Sequence, residues 1–195
     1  SDGVGAPMLP DLRASAEAID GITIRQGGVG LLLQRDAGQW YCASAADYPV
    51  DRDRIRQLLV QLDQLERWEA KTQDPARHAA VDLDTSVQEG RAIEIELSAE
   101  SDLVAHVVLG KRQWSPKSTF ARLATEDQTF KCKGNVEVEL NPVAWLDTTF
   151  CTLERSGITQ MNFGPMELVR PNDSPEGGES TWQVSTKNLE SVPDK

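Results

Sequence analysis

The stretch Trp40–Glu69, WYCASAADYPVDRDRIRQLLVQLDQLERWE, contains the strongest secondary-structure pattern in the chain. Asp51 stands at an N-cap position, where its carboxylate can accept from the free N–H groups of a first helical turn. Pro49 fixes an extended entry before it. Apolar residues then recur at helical spacing: Ile55, Leu58, Leu59, Leu62 and Leu65. This pattern predicts one long amphipathic helix over residues 51–66, packed by its apolar stripe on a sheet.

The other faces of the predicted helix carry several arginines, among them Arg52, Arg54 and Arg56. A basic face could hold a phosphate group. Asp and Arg stand side by side along it, however, which is typical of a solvated helix face. The solvated face is therefore the interpretation that the residues favour.

Segments of alternating apolar residues flank this helix and predict strands. Residues 22–25, 31–35 and 39–42 are separated by glycine-containing turns and predict a meander. Ile93-Glu94-Ile95-Glu96-Leu97 alternates cleanly and predicts a hairpin with residues 103–110. Further strands are predicted over residues 119–123, 129–132 and 181–184, and a second hairpin is predicted from residues 157–159 to Arg170. The expected fold class is α+β, with antiparallel hairpins and meanders packed on the long helix and two or three short helices.

An internal β-meander repeat is also expected. Gly21-Ile22-Thr23 recurs as Gly157-Ile158-Thr159, and Trp40 recurs as Trp182. Leu31, Leu33 and Arg35 recur 135 positions later, as Met166, Leu168 and Arg170. The expected organisation is an N-terminal extension over 1–20 with a frayed start, a first α+β unit over 21–150, and a partial β-meander unit with a tail over 151–195.

The composition excludes several classes of partner. A formal net charge of −11 argues against nucleic acid, whose phosphates require a basic footprint, and against charge-driven docking on anionic lipid. No apolar run approaches the roughly 20 residues of a membrane helix, and no signal peptide is visible. The chain starts at Ser1 without Met, which indicates a trimmed fragment. Because it has no apolar run of membrane length, we expect no direct membrane insertion by this fragment.

No catalytic or metal-binding set emerges from the reactive residues. The three cysteines, Cys42, Cys132 and Cys151, are compatible with one disulfide plus a free thiol or with three small buried hydrophobes. The two histidines, His78 and His106, have no nucleophile or ligand partner at a recognisable spacing. We therefore expect a protein that is not an enzyme and that carries no metal or cofactor.

Residues 110–117, GKRQWSPK, place three positive charges around a tryptophan on an otherwise acidic chain. They predict a loop in which Lys111, Arg112, Trp114 and Lys117 contact a partner, because Trp and Arg are favoured interface anchors. The alternative is a hairpin loop whose Trp114 folds back onto the sheet.

Several short motifs occur in a fixed order along the chain. They are Trp40-Tyr41, Tyr48-Pro49-x-Asp51, the Leu-rich helix, Glu69-Ala70-Lys71-Thr72, Asp74-Pro75, Leu109-Gly110-Lys111, Phe120-Ala121-Arg122 and Trp145-Leu146-Asp147. Over about Leu9 to Val184 this set resembles the DUF4340 family of bacterial proteins, which has no established catalytic residues. The resemblance implies a periplasmic or extracytoplasmic location and an N-terminal membrane helix that is absent from this fragment. It also implies a link to ABC-type transporters or gliding-motility systems.

Two functions are compatible with these observations. The first is a non-enzymatic extracytoplasmic accessory module that contacts a protein partner in a transporter-like envelope complex, or an envelope polymer. The second is a small-molecule or peptide binding module with a pocket between sheet and helices. An exposed Trp114 favours the first, and an apolar cavity lined by tryptophans favours the second.

Overall fold

A computed structural model describes residues 3–86, 90–149, 160–163, 166–169 and 183–186. The chain divides into two compact units, residues 1–148 and 149–195. The strands of the first unit are β1 Gly21–Gln26, β2 Val29–Asp36, β3 Gln39–Cys42, β4 Tyr48–Pro49, β5 Glu66–Ala70, β6 Ile93–Ala99, β7 Asp102–Trp114, β8 Lys117–Leu123 and β9 Phe130–Lys133. Its helices are α1 Leu12–Ser15, α2 Arg52–Asp63 and three short 3-10 helices, Ala43–Ala45, Pro75–Val81 and Pro142–Trp145.

The nine strands form one antiparallel sheet in the order β4-β3-β2-β1-β6-β7-β8-β9-β5. Strand β1 joins the two halves, because Ile24 lies opposite both Leu31 of β2 and Ile95 of β6. Residues directly opposite one another point to the same face of a sheet. The inward positions of β1, β2, β6 and β7 therefore form one continuous apolar face, which is fully buried at Ile22 and Leu97.

Helix α2 packs its apolar stripe into this main core, with Ile55, Leu58 and Leu62 all buried. Its N-terminus is the predicted one: the Asp51 carboxylate accepts from the backbone N–H of Asp53 at 2.9 Å. Val50, the residue before the cap, is also buried, as a hydrophobic staple requires.

The predicted α+β class is wrong, because strands dominate the structure. About 44% of the described residues lie in strands and 20% in helices. The long helix expected over 51–66 is a helix of 12 residues that ends at Asp63. Leu65 is buried outside the helix, and Glu66–Ala70 forms β5, which pairs with β9. Pairing with a distant strand overrides the helical period here, since β structure depends on its partners more than on local preference.

Residues 8–19 contribute to the core, which corrects the frayed start expected over that part of the N-terminal segment. Met8, Leu9, Leu12 and Ile19 are all buried. The backbone of residues 5–8 also bonds along β5, for example from Met8 N to Leu65 O at 2.7 Å. This segment covers the β5 edge of the sheet, whose free N–H and C=O groups would otherwise be open to pairing with another chain.

A smaller core lies on the other face of the sheet, around Leu83, Ala92, Val108 and Phe120. The segment that contains the 3-10 helix Pro75–Val81 covers it. The buried Arg122 side chain fastens this segment by donating to the carbonyl oxygens of Leu83, Leu123, Ala124 and Glu126. Five N–H donors on one guanidinium allow such multiple bonding to neutral carbonyls.

The described part of the second unit is a three-stranded antiparallel sheet of β10 Gln160–Phe163, β11 Met166–Val169 and β12 Gln183–Thr186. The expected repeat is not supported by its register. The alignment matches Ile24 to Gln160 and Leu31 to Met166, yet Ile24 pairs with Leu31 whereas Gln160 pairs with Val169. Cys151, Trp182 and the 157–159 motif lie outside the described residues.

Within the described ranges, no helix combines the length and the apolar character needed to cross a bilayer.

Candidate functional site

Residues 110–117 form the tip of a long hairpin, which corrects the loop predicted there. Strand β7 runs through Trp114 and β8 begins at Lys117, so that only Ser115 and Pro116 connect them. Trp114 pairs with Lys117 in the ladder, and its side chain is 64% exposed. The tryptophan therefore projects from regular backbone and does not fold back onto the sheet.

Arg112 lies beside Trp114 and contacts its ring. Its guanidinium carbon is 5.7 Å from the centroid of the Trp114 ring, a cation–π distance. The same guanidinium donates through Nη1 to the carbonyl oxygen of Val136 at 3.4 Å. Arg112 thus connects the hairpin tip to the segment that follows β9.

A groove of about 460 Å³ lies between this hairpin tip, α2 and residues 136–145. We call it the Trp114 groove. Leu58 and Trp145 contribute buried side chains to it, and Val138 and Ala144 are half-buried. The exposed side chains of its rim are Arg54, Gln57, Arg112, Trp114, Glu137 and Glu139. The groove therefore has an apolar floor and a polar rim.

Hydrogen bonds hold the far wall of the groove in place. The indole Nε1 of Trp145 donates to the carbonyl oxygen of Glu139 at 2.6 Å. The backbone N–H of Glu137 donates to the side-chain oxygen of Gln61 on α2 at 2.9 Å. Asn141 caps the 3-10 helix that carries Trp145 by accepting from Val143 N at 3.1 Å. A groove fixed in this way is preformed, which lowers the entropy cost of binding.

The four residues predicted to contact a partner separate into two pairs. Arg112 and Trp114 line the groove, whereas Lys111 and Lys117 are exposed outside its lining. The rim carries two arginines and two glutamates, so its formal charges cancel. The basic cluster seen in the sequence is therefore not a basic surface at this groove.

The sequence did not nominate the remaining groove residues. Arg54 and Gln57 come from α2, and Glu137 and Glu139 come from a segment with no regular pattern. Their approach to Trp114 depends on how distant segments pack, and no local motif announces it. Trp145 is 4% exposed and forms part of the floor.

A cluster of charged and polar side chains lies on the face of β1, β6 and β7 that is opposite the main core. Arg25 forms an ion pair with Glu96 at 2.7 Å, and His106 Nε2 lies 3.2 Å from Glu94 Oε2. The hydrogen bond from Arg25 holds the pKa of Glu96 below its ordinary value. Among the described residues, no group of three or more His, Cys, Asp or Glu side chains is arranged to hold a metal ion.

The two described cysteines are free thiols buried in the main core. Burial raises the pKa of Cys132 to about 12, and burial also raises the pKa of Cys42. A nucleophilic cysteine needs the opposite shift, because the thiolate is the reactive form. Both thiols therefore have the properties of core residues.

The first unit is thus an antiparallel β domain with a preformed groove on its surface. A family model described as "Domain of unknown function (DUF4340)" matches residues 40–191, which is more than half of the chain. The chain therefore belongs to the DUF4340 family, which confirms the assignment made from the ordered motifs. The match begins at Trp40, so β1 and β2 precede it. Neither the curated proteins nor the solved structures include a significant match to this chain.

Proposed function

We propose that this protein is a non-enzymatic accessory module that binds a protein partner through the Trp114 groove. The observation that carries the proposal is the 64% exposure of Trp114 beside a preformed apolar floor. Tryptophan and arginine are both among the residue types enriched at interface hot spots. Because the rim charges cancel, the contact depends on an apolar anchor and not on net charge.

The occupant we propose is a peptide segment of the partner that inserts one apolar side chain over Leu58 and Trp145. Polar groups of the peptide on either side of this anchor then contact the charged rim, which consists of Arg54, Arg112, Glu137 and Glu139. A peptide would be oriented by these opposite charges, since complementary charges set register more than affinity.

The cellular setting of the proposal is an extracytoplasmic one. The family resemblance supports a module tethered by an N-terminal membrane helix and serving an envelope complex of the ABC-transporter type.

A photo-crosslinking residue in place of Trp114 tests this function in cells that express the membrane-tethered protein. The same residue in place of Leu103, which is 60% exposed, is the matched control. We expect a discrete protein adduct from position 114 alone, identified by mass spectrometry. Equal adducts from both positions, or none from position 114, would contradict the proposal.

The affinity of the identified partner gives the second measurement. Arg112→Ala/Trp114→Ala should weaken binding by about 30-fold or more, as expected for hot-spot residues worth 2 kcal/mol or above. Arg77→Ala/Leu103→Ala removes one exposed arginine and one exposed apolar side chain elsewhere and should leave affinity unchanged. The melting temperature should stay nearly constant in both variants. A large loss of stability in the first variant would show that Trp114 belongs to the core.

A second candidate function is the binding of a small molecule or peptide between sheet and helices. One observation favours it: a separate groove of about 590 Å³ lies between α1, α2 and the β2–β3 hairpin. Its volume is within the roughly 300–1,000 Å³ typical of ligand sites.

A further inference from the structure

This second groove combines an apolar floor with a ring of arginines, and we call it the arginine groove. Leu12 of α1, Trp40 of β3 and Ile55 of α2 contribute buried side chains to it. Leu59 is half-buried, and Val60 is 44% exposed. Apolar surface therefore stays accessible to solvent along the side of α2.

Four guanidinium groups line the arginine groove: Arg13, Arg35, Arg52 and Arg56. Among the described residues, the acidic side chains that line it with them are Glu17 and Asp63. The formal charge of these lining residues is therefore +2, and it is +1 when Asp53, which pairs with Arg56 from outside the lining, is counted, on a chain whose net charge is −11. Such a local excess of positive charge attracts an anion even though the whole molecule is acidic.

Two of these arginines are neutralised by carboxylates. Arg13 forms an ion pair with Asp63 at 2.7 Å, and Arg56 forms one with Asp53 at 2.6 Å. Asp63 is the last residue of α2, so the Arg13 pair closes the groove at the C-terminal end of the helix.

Within the described residues, the other two arginines bond to neutral groups. Arg35 donates through Nη2 to the carbonyl oxygen of Glu17 at 2.8 Å and lies over the Trp40 ring at 5.9 Å. Arg52 donates to the carbonyl oxygen of Gly38. In the part of the chain that the structure describes, neither arginine has a carboxylate at ion-pair distance. Arg35 and Arg52 thus stand without an ion-pair partner at the end of the groove that is next to the β2–β3 turn.

We propose that the arginine groove binds a single-chain amphiphile with an anionic head group. Arg35 and Arg52 hold the head group, because guanidinium donors match the oxygen geometry of a carboxylate or phosphate. The chain lies along α2 over Trp40, Ile55 and Leu59, in a groove whose helical wall from Arg52 to Asp63 is about 16 Å long. The ligand is one molecule and not a membrane surface, since the acidic chain is repelled by a sheet of anionic lipid.

This inference is independent of partner docking, because Trp114 and Arg112 do not line the arginine groove. Failure of one proposal therefore leaves the other standing.

Calorimetric titration of the whole chain tests the proposal with four probes, each kept below its micelle concentration. Dodecanoate and dodecyl phosphate carry the two anionic head groups, dodecyltrimethylammonium carries the same chain on a cation, and acetate is a head group without a chain. We expect saturable binding of at least one anionic amphiphile, with the tighter one assigning the head group. We expect the cationic amphiphile to bind at least about tenfold more weakly, and acetate to give no measurable heat.

Two variants localise the binding. Arg35→Gln/Arg52→Gln keeps a donor for the Glu17 and Gly38 carbonyls and should raise Kd for the anionic amphiphile about tenfold or more. The matched control, Arg77→Gln/Arg91→Gln, removes two exposed arginines elsewhere and should leave Kd unchanged. Val60→Asn, at an exposed position that is not part of the folded core, should weaken binding of either amphiphile by removing contact with the chain.

Three results would overturn the proposal. They are equal affinity for the anionic and cationic amphiphiles, an unchanged Kd in the Arg35/Arg52 variant, and no saturable binding of either anionic probe. Circular dichroism of each variant establishes that it is folded, so that a lost heat signal is assigned to the site.

Discussion

Gly110 tests how the second face of the sheet is covered. A Cβ atom added to Gly110 would lie 2.2 Å from the carbonyl oxygen of Val81 and 2.9 Å from that of Asp82. Real Cβ atoms essentially never approach another heavy atom within 3.0 Å, and both contacts are backbone, which cannot rotate away as a side chain would. Gly110→Ala must therefore displace either β7 or the segment after the 3-10 helix. Overpacking of this kind costs about 1–3 kcal/mol of unfolding free energy.

The same substitution at Gly30 supplies the matched control. Gly30 also lies in a strand, β2, but an added Cβ would meet nothing within 4 Å, and its φ is not in the left-handed region. Gly30→Ala reduces the entropy of the unfolded chain and should stabilise by about 0.4–1 kcal/mol. One chemical change thus produces opposite signs at two strand positions, with a difference of about 1.4–4 kcal/mol between them.

Guanidinium denaturation followed by circular dichroism measures this difference as a shift in midpoint at constant m-value. Amide exchange at Leu83, which is buried next to the displaced segment, should accelerate in Gly110→Ala alone. Stabilisation by both substitutions, or equal destabilisation by both, would refute the close packing of residues 81–82 on β7.

Three further predictions follow from burial and ion pairing. Leu62→Asp should abolish the cooperative unfolding transition, because an unpaired buried charge costs several kcal/mol. Val60→Asp, on the exposed side of the same helix, should leave the transition in place. A stable Leu62→Asp protein would show that the apolar stripe of α2 is not part of the core. Cys132, with its pKa raised to about 12, should resist alkylation at pH 8 until the chain is denatured, and peptide mapping that finds rapid native labelling would contradict its burial. Arg25→Gln should cost at most about 1 kcal/mol at pH 7, since the pair with Glu96 is partly exposed. The pKa of Glu96 in the folded protein is lowered from 4.5, so the stability that the ion pair contributes is present above pH 4.5 and is lost as the pH falls through the folded pKa. If the stability difference between Arg25→Gln and the parent instead grew in acid, this ion pair would not be its cause.

Local patterns were sufficient wherever neighbouring residues decide the structure. The Asp51 cap and the stripe through Ile55, Leu58 and Leu62 depend on side chains within a few positions of one another. The predicted end of the helix was wrong, because Leu65 continues the helical period yet is buried next to β5, outside the helix. The hairpin tip was wrong for a similar reason: Gly110 and Pro116 indicate a loop, but cross-strand pairing through Trp114 and Lys117 extends the ladder.

The candidate site was predictable only in part. Trp114 and Arg112 stand out in the sequence as an aromatic and a cation on an acidic chain, and both line a groove. The sequence favoured a solvated face for the arginines of α2. In the structure, Arg54 lines the Trp114 groove and Arg52 lines the arginine groove. Whether an exposed arginine has a carboxylate partner depends on segments far away in the chain, such as Asp63 for Arg13.

Ordered motifs along the chain were enough to predict the family. The start and inward face of α2 and the alternation over Ile93–Leu97 could also be predicted, because caps and side-chain periods are properties of nearby residues. The position of β1 between β2 and β6, the cover over β5 and the two grooves beside α2 became visible in the folded chain alone. Strand order and groove lining arise from contacts between residues distant in the chain, such as Ile24 with Ile95. Those contacts are selected by the total apolar surface buried and by the hydrogen bonds completed, and neither quantity can be read from a local stretch of sequence.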